Sequence, residues 1–457
     1  MVASTLAPAA REASREPATL PGGLPLLGHL RSLQRDPFAL VTRVRDEVGD
    51  IGKLNIGPRT LIIVSDPAAI ERVLVDNVRN YSKQTRGYEQ LRKMLGNGLV
   101  TSEGSFWLRQ RRIAQPAFHR EKLAGLSLIM QRDTEEMIAS WGQRTDVALG
   151  FDFSQEMMKL TMRIIGEALF SVDVSGDTDV AGAAINELVH QAIRRTTSLI
   201  DIPMSVPTPQ NRRFSKSKRT LDALVFGVIQ KRRDGKEQKP DLLEMLLEAV
   251  DEETGERMTD EQLRDESLTL FAAGHETTST AVSWTLHALL DTPAAMKKLV
   301  DEIDAGDLKP ERVLRLPYLD AVLKEGMRLY PPIWNVARLC ESDDVVGGMT
   351  IKKGELLFLS QWTTHRHPKL WRDPLTFNPE RFVVDDPARP KLAYFPFLAG
   401  PRKCIGDSLA ITEAKIILAH LLQALRFERV PGHAVVPDPA VSLRFKHGLW
   451  LRASKRT

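Results

Sequence analysis

The sequence predicts a mainly α protein with small β-sheets, folded as one large domain. Three observations carry that reading. Most of the chain places apolar residues at helical spacing, only two stretches read as β-hairpins, and no internal repeat or low-complexity linker divides residues 21–457. At roughly 150 residues per domain the length alone would allow about three domains. An undivided body of this size instead suggests one domain assembled around a cofactor.

Residues 1–20 are rich in Ala, Pro, Arg and Glu and read as a flexible tail. They lack the apolar run of about 18 residues that a membrane span needs, and the shorter one of a secretory leader. No membrane anchor is expected, and the protein is expected to be soluble and cytoplasmic, with order beginning near Pro21. Residues 51–65 (IGKLNIGPRTLIIVS) place a Gly-Pro turn between two β-rich runs, which predicts the first hairpin. Helical spacing follows over 69–75, 105–113, 121–141, 156–170, 180–195, 217–233 and 408–425. Residues 345–359, with Gly347-Gly348 and Gly354, predict the second hairpin.

The charges nearly cancel, with 63 Lys and Arg against 59 Asp and Glu and no long basic run. Nucleic-acid binding is therefore not expected. Two cysteines, Cys340 and Cys404, cannot build a disulfide framework, a four-cysteine zinc site or a cysteine-held iron–sulfur cluster. They fit a reducing compartment.

The longest helix is predicted over 259–291. Thr259 and Gln262 make a capping box, and Asp291-Thr292-Pro293 supplies the stop. At 1.5 Å per residue it spans roughly 45 Å, enough to cross a whole domain. Its flanks are apolar, but its centre reads AAGHETTST (272–280). Leu270, Ala273, Thr277 and Ala281 share a face, a stripe small enough at its middle for a flat ligand to lie against. The Thr277 hydroxyl can bond back to the Ala273 carbonyl, and Gly274 weakens the same turn. Glu276 beside Thr277 then resembles a proton-delivery pair; a solvated or internally paired polar centre is the other reading.

FLAGPRKCIG (397–406) precedes the helix that starts near Asp407. Gly400 and Gly406 allow conformations and close approaches that a Cβ would block. A Cys404 thiolate just ahead of a helix N-terminus gains from its partial positive charge, and Arg402 suits an anionic group such as a carboxylate. A lone cysteine is ordinarily an inert buried hydrophobe. The full spacing Phe-x-x-Gly-x-Arg-x-Cys-x-Gly, however, is expected by chance only on the order of 10⁻⁴ times in such a chain.

These segments resemble those of the cytochrome P450 monooxygenases. FLAGPRKCIG is similar to their haem-binding loop and AGHETT (273–278) to their oxygen-activation motif. The resemblance implies the cytochrome P450 fold, haem b as cofactor and O2 as co-substrate. It makes Cys404 the proximal thiolate ligand, pairs Arg402 with a haem propionate, and gives Phe397 the task of shielding the sulfur. Trp107 and Arg111 (WLRQR) share a helix face and match the family's propionate-holding pair; Arg338, after PPIWNVA, is a further candidate. Glu325 and Arg328 (KEGMR), with Arg381 in Pro379-Glu380-Arg381-Phe382, match the family's buried charge cluster and receive a structural role. Arg109 and Arg112 project from the other side of the WLRQR helix. They read either as a solvated basic face or, with Lys403, as a landing patch for an acidic electron donor.

The implied reaction inserts one atom of O2 into a C–H or C=C bond of a hydrophobic small molecule, and Thr277 and Glu276 serve its proton supply. The 53 residues after Cys404 leave no room for a flavin reductase, so electrons are expected from a separate ferredoxin and ferredoxin reductase. GNGLVT (96–101) only half-matches a dinucleotide fingerprint and lies in a loop the family uses for substrate. By position the pocket draws on 81–100, 188–206, Leu270, Ala273, Ile333–Val336 and Leu443–Phe445, which favours a terpenoid, fatty acid or steroid. Arg86 or Arg92 could instead receive a carboxylate. A monomer is expected. The competing functions are a peroxide-driven peroxygenase and a non-catalytic haem-thiolate sensor or electron carrier.

Overall fold

The computed structural model describes residues 15–118, 120–171, 202–235, 241–384 and 386–456, with parts of 182–195 and Lys239. Most of the expected tail (1–14), part of the expected 180–195 helix and part of the 188–206 pocket segment lie outside the described residues. The chain forms two compact units, each drawn from separated stretches. One takes the described part of Met1–Thr85 with Asn335–Leu370 and Pro390–Arg402; the other takes Arg86–Trp334, Trp371–Arg389 and Lys403–Thr457.

The first unit is built on a five-stranded sheet. Strands β1 (Ile51–Ile56), β2 (Arg59–Val64), β3 (Tyr81–Ser82), β4 (Val336–Cys340) and β5 (Leu356–Leu359) lie in the order β1-β2-β5-β4-β3. The predicted first hairpin forms: Ile51 faces Val64 and Ile56 faces Arg59 across the Gly57-Pro58 turn. Leu54, Ile62, Ile63 and Val64 fill the core. The second predicted hairpin is divided. Asp344–Val346 pairs with Met349–Ile351 around Gly347-Gly348, but β5 leaves to pair parallel with β2 and antiparallel with β4. Leu357 and Leu359 explain this, because in the larger sheet both become fully buried.

The tail expected through residue 20 is shorter. The Lys53 amide donates to Ala18 O at 2.7 Å, and Lys53 O accepts from the Leu20 amide at 2.9 Å. β1 is an edge strand with backbone groups to satisfy, and this pairing also buries Leu20.

The second unit holds most of the helices: α1 (Gly104–Ala114), α2 (Phe153–Phe170), α3 (Asp260–Leu290), α4 (Pro317–Leu329) and α5 (Asp407–Ala424) among them. Both arms of the predicted capping box of α3 form. Gly274 lets α2 pack close, since a Cβ there would lie 3.0 Å from Ile165 Cγ1. The Thr161 hydroxyl donates across the same contact to the His275 carbonyl at 2.7 Å. Helix Pro209–Arg233 starts well before the predicted 217, because Thr208 caps it and Pro209 fits its first position. The 69–75 helix is a short α-helix, Pro67–Glu71, continued by a wider π turn over Arg72–Asp76.

GNGLVT is a clasp on α3. The Asn97 amide donates to Asp265 at 2.6 Å and the Leu99 amide to Glu266 at 3.0 Å, while a Cβ on Gly96 would strike the Asp265 carboxylate. Its glycines serve close packing. No described helix is long and apolar enough to cross a membrane.

Candidate functional site

The cysteine loop runs from the first unit into the second, with the change falling between Arg402 and Lys403. On the first side, Gly400 has φ 65°, and a Cβ there would strike the Leu74 carbonyl, so glycine is required twice over. Phe397 and Arg402 are half-exposed, with Arg402 closing the short turn Gly400–Arg402. Arg338 sits buried on β4, where it donates to the Ala337 carbonyl at 2.9 Å.

On the second side, Cys404 is solvent-exposed ahead of α5, whereas Cys340, in the first unit, is buried and donates its thiol proton to Ser342 O at 3.0 Å. Gly406 has φ −94°, a conformation open to any residue, and its Cβ position meets only the Phe118 ring edge at 4.0 Å. The expected conformational need for glycine there is therefore absent. The Cys404 thiol also departs from expectation. The surrounding protein mass pushes its pKa up, and Asp407 adds to this. The Gly406 amide and the Arg111 and Lys403 cations pull the other way without prevailing. The helix end alone does not make a thiolate; coordination to a metal would.

Trp107 and Arg111 both lie on α1. Trp107 is buried, and Arg111 donates to the Lys403 carbonyl at 3.0 Å, which places its cation against the backbone beside Cys404. Arg109 and Arg112 are not free cations. Arg109 pairs with Glu256, and Arg112 makes a bidentate pair with Asp251 (3.0 Å each) and a second with Glu253 at 2.7 Å. Lys403 pairs with Asp407 at 2.6 Å. The landing patch read from the sequence is thus neutralised, Arg109 and Arg112 by the 251–256 segment and Lys403 by Asp407.

On α3, Ala273 is exposed and Gly274 and Thr277 are half-exposed, while Phe271, His275, Glu276 and Thr278 around them are buried. A single exposed alanine in the middle of a buried helix marks a strip kept clear on one face. Thr277 Oγ1 donates to Ala273 O at 2.8 Å, as the sequence suggested.

Glu276 points elsewhere. Its carboxylate accepts from the Ser442 hydroxyl at 2.5 Å and from the Arg444 guanidinium. Burial would raise its pKa, but Arg444 and Ser442 overcome that and hold it below the usual glutamate range. A carboxylate so held is ionised at neutral pH and has no proton to give. Glu276, expected to serve proton supply with Thr277, is here a carboxylate paired with Arg444 and Ser442. Sequence reasoning placed Ser442 and Arg444 no closer than a pocket-lining turn, since they lie 166 and 168 residues away.

A family model described as Cytochrome P450 matches residues 17–445. The chain belongs to the cytochrome P450 family. It is 35% identical to the cyclooctatin synthase of Streptomyces melanosporofaciens, over 93% of this chain and 92% of that protein. It is 34% identical to the cyclooctat-9-en-7-ol 5-monooxygenase of the same organism, over 91% and 90%. The crystal structure of the cytochrome P450DA haem domain superposes with a TM-score of 0.88 at 28% identity, over 97% of this chain and 98% of that one. This P450 is a haem-thiolate monooxygenase that uses haem b and O2.

The residues present fit that cofactor. The second unit offers an exposed thiol, a guanidinium fixed beside it and a helix strip cleared to Ala273. Glu325, Arg328 and Arg381 of the P450 come together in one charge cluster. Arg328 donates to both Glu325 oxygens at 2.7 and 2.8 Å, with both side chains wholly buried. Arg381 reaches the same carboxylate at 3.3 Å, and the Asn378 amide at 2.8 Å. Arg328 also donates to the Pro374 and Thr376 carbonyls, so the cluster ties α4 to the 373–381 segment. Of the carboxylate-binding candidates, Arg92 donates to the Thr101 carbonyl at 2.6 Å.

Proposed function

We propose that this P450 oxygenates a cyclic, largely hydrocarbon small molecule of terpenoid type. Two relatives similar over nine-tenths of the chain carry names built on the cyclooctatin skeleton, and one is named for oxygenating an unsaturated alcohol. The exposed Ala273–Thr277 strip carries the reading: it presents one methyl and one hydroxyl, with no charge. Fatty acids and steroids share the apolar character but lack the support of the two relatives.

In this proposal Cys404 is the axial ligand, Trp107 and Arg111 would hold haem propionates, and Arg402 and Arg338 are further propionate-binding candidates. When bound, haem b supplies the activation of O2. Thr277 passes protons along the strip from its hydroxyl, which the Ala273 carbonyl orients. Glu276 holds the Arg444 turn and takes part in proton supply only after leaving that cation. Electrons come from separate redox proteins, a ferredoxin and its reductase, and the enzyme works as a cytoplasmic monomer.

The test is a panel of cyclic terpenes, terpene alcohols, fatty acids and steroids, read by the haem spin-state shift. A shift confined to fatty acids or steroids overturns the substrate class. Cys404→Ala should abolish the haem-thiolate absorption; retention of it would overturn the ligand assignment.

A further inference from the structure

Side-chain donors reach the carbonyls of Phe271, Ala273, His275 and Glu276 in the middle of α3. His275 Nδ1 donates to Phe271 O at 2.9 Å, Thr277 Oγ1 to Ala273 O at 2.8 Å, and Ser279 Oγ to Glu276 O at 3.0 Å. Those donors belong to α3 itself. The His275 carbonyl is reached from another helix, by the Thr161 hydroxyl of α2 at 2.7 Å. Thr161 is wholly buried, and two carbonyls of its own helix, Met157 and Met158, lie farther from its oxygen, at 3.0 and 3.3 Å. A hydroxyl has one proton to give, and the shortest of the three contacts is the one that crosses to α3.

The packing of the two helices delivers Thr161 to that carbonyl. Met158, Thr161 and Ile165 follow one another at spacings of three and four residues, so they share a face of α2. Ile165 seats against Gly274, where a Cβ would lie 3.0 Å from its Cγ1, and Ser279 Oγ lies 3.6 Å from Met158 Sδ. His275 and Ser279 are buried, on the side of α3 away from the exposed Ala273 and half-exposed Thr277. A helix carbonyl that takes a hydroxyl as well as its amide tilts toward that hydroxyl, and its turn weakens. Thr277 therefore draws Ala273 O toward the strip, while Thr161 draws His275 O toward α2. Two overlapping turns are pulled in opposite directions, and the peptide unit that follows His275 leads directly into Glu276 and Thr277.

We propose that Thr161 is a positioning residue for the oxygen chemistry: its bond to His275 O holds the turn that presents the Thr277 hydroxyl. It acts through Thr277 from the opposite face of α3, so the proposal rests on the proton-delivery reading of that hydroxyl. It does not depend on which substrate the enzyme takes.

The test uses the holoenzyme with NADPH, an acidic plant-type ferredoxin and its reductase, in the absence of substrate. O2 leaves as hydrogen peroxide after taking two electrons and two protons, and as water after taking four of each. The fraction released as peroxide therefore reports how promptly protons arrive. Thr161→Val keeps the side-chain shape and removes the hydroxyl. The peroxide fraction should rise severalfold, and hydrogen exchange across residues 271–279 should quicken by about tenfold. Thr161→Ser should return both to the parent values. In a Thr277→Ala background, Thr161→Val should raise the peroxide fraction no further. Haem content and thermal midpoint show which variants fold, and Thr161→Ala replaces the valine variant if that one does not. A lower midpoint with an unchanged peroxide fraction makes Thr161 structural only and overturns the proposal. A peroxide rise that adds in full to that of Thr277→Ala overturns it as well. An unchanged fraction in Thr277→Ala alone overturns the reading of Thr277, and this proposal with it, which separates the two failures.

Discussion

Arg444, partly exposed, forms an ion pair with the buried Glu276 that ties the strand Leu443–Phe445 to the middle of α3. The strand is held from other sides as well. Trp284 on α3 donates its indole N–H to Leu443 O at 2.7 Å, and its ring is stacked between Phe445 at 3.9 Å and Tyr330 at 4.4 Å. With the turn held this way, Arg444 has little freedom to follow Glu276 if the carboxylate moves.

Because the folded state depresses the Glu276 pKa, the pair stabilises the protein above the ordinary glutamate range, and that stability is lost as pH falls through the folded value. Arg444→Gln leaves a buried carboxylate with only the Ser442 hydroxyl, at a cost of about 3–5 kcal/mol. Urea unfolding should show a larger loss at pH 7 than near pH 4, where protonation relieves the unpaired charge. Equal losses at both pH values would argue against a charge effect.

Thr277→Ala removes the hydroxyl from the exposed strip while leaving the buried face of α3 intact. Haem content and stability should stay near those of the parent, within about 1 kcal/mol. Product formed per NAD(P)H consumed should fall severalfold, with the balance recovered as hydrogen peroxide. Unchanged coupling would remove Thr277 from proton delivery.

Arg328→Lys retains the charge of the Glu325 cluster but loses the bidentate fork and the reach to Pro374 O and Thr376 O. Glu325→Gln leaves Arg328 buried without its counter-charge. Each should cost about 3–5 kcal/mol and reduce soluble, haem-loaded yield. Denaturant midpoints check this, and a shift below about 1 kcal/mol would contradict the cluster's structural weight.

Glu413 on α5 is buried facing Thr278, and burial pushes its pKa up to about 8, with Thr278 pulling weakly the other way. The folded protein therefore keeps a proton there that the unfolded chain releases above the ordinary glutamate range. Stability should fall as pH rises toward 8, with a slope of at most about 1.4 kcal/mol per pH unit from this group. Glu413→Gln should flatten that slope, as read from urea unfolding between pH 5 and pH 8. An unchanged slope would place the titration on another group.

Local devices were legible because neighbouring residues enforce them. The α3 capping box, the Thr277 back-bond to Ala273, the Gly57-Pro58 hairpin turn and the required glycine at 400 all depend on contacts within a few residues or on backbone conformation. Other readings failed where distant groups compete. β5 preferred the larger sheet to its local hairpin, and the 251–256 acids claimed Arg109 and Arg112. Ala18 and Leu20 paired with an edge strand whose need for partners no composition reveals.

The sequence by itself determined the family, the alcohol on the exposed strip of α3 and the order of the charge-cluster motifs, and it nominated Cys404 as the ligand proposed above. Each rests on residue identity at fixed spacing, which a helix or tight turn converts directly into geometry. Only the tertiary structure decided that Glu276 is a paired carboxylate and that the Cys404 thiol is raised in the protein alone. Those properties depend on which charges arrive from elsewhere in the chain and how much water is displaced. Burial and charge pairing are settled when distant segments pack within the fold, and spacing along the chain carries no record of them.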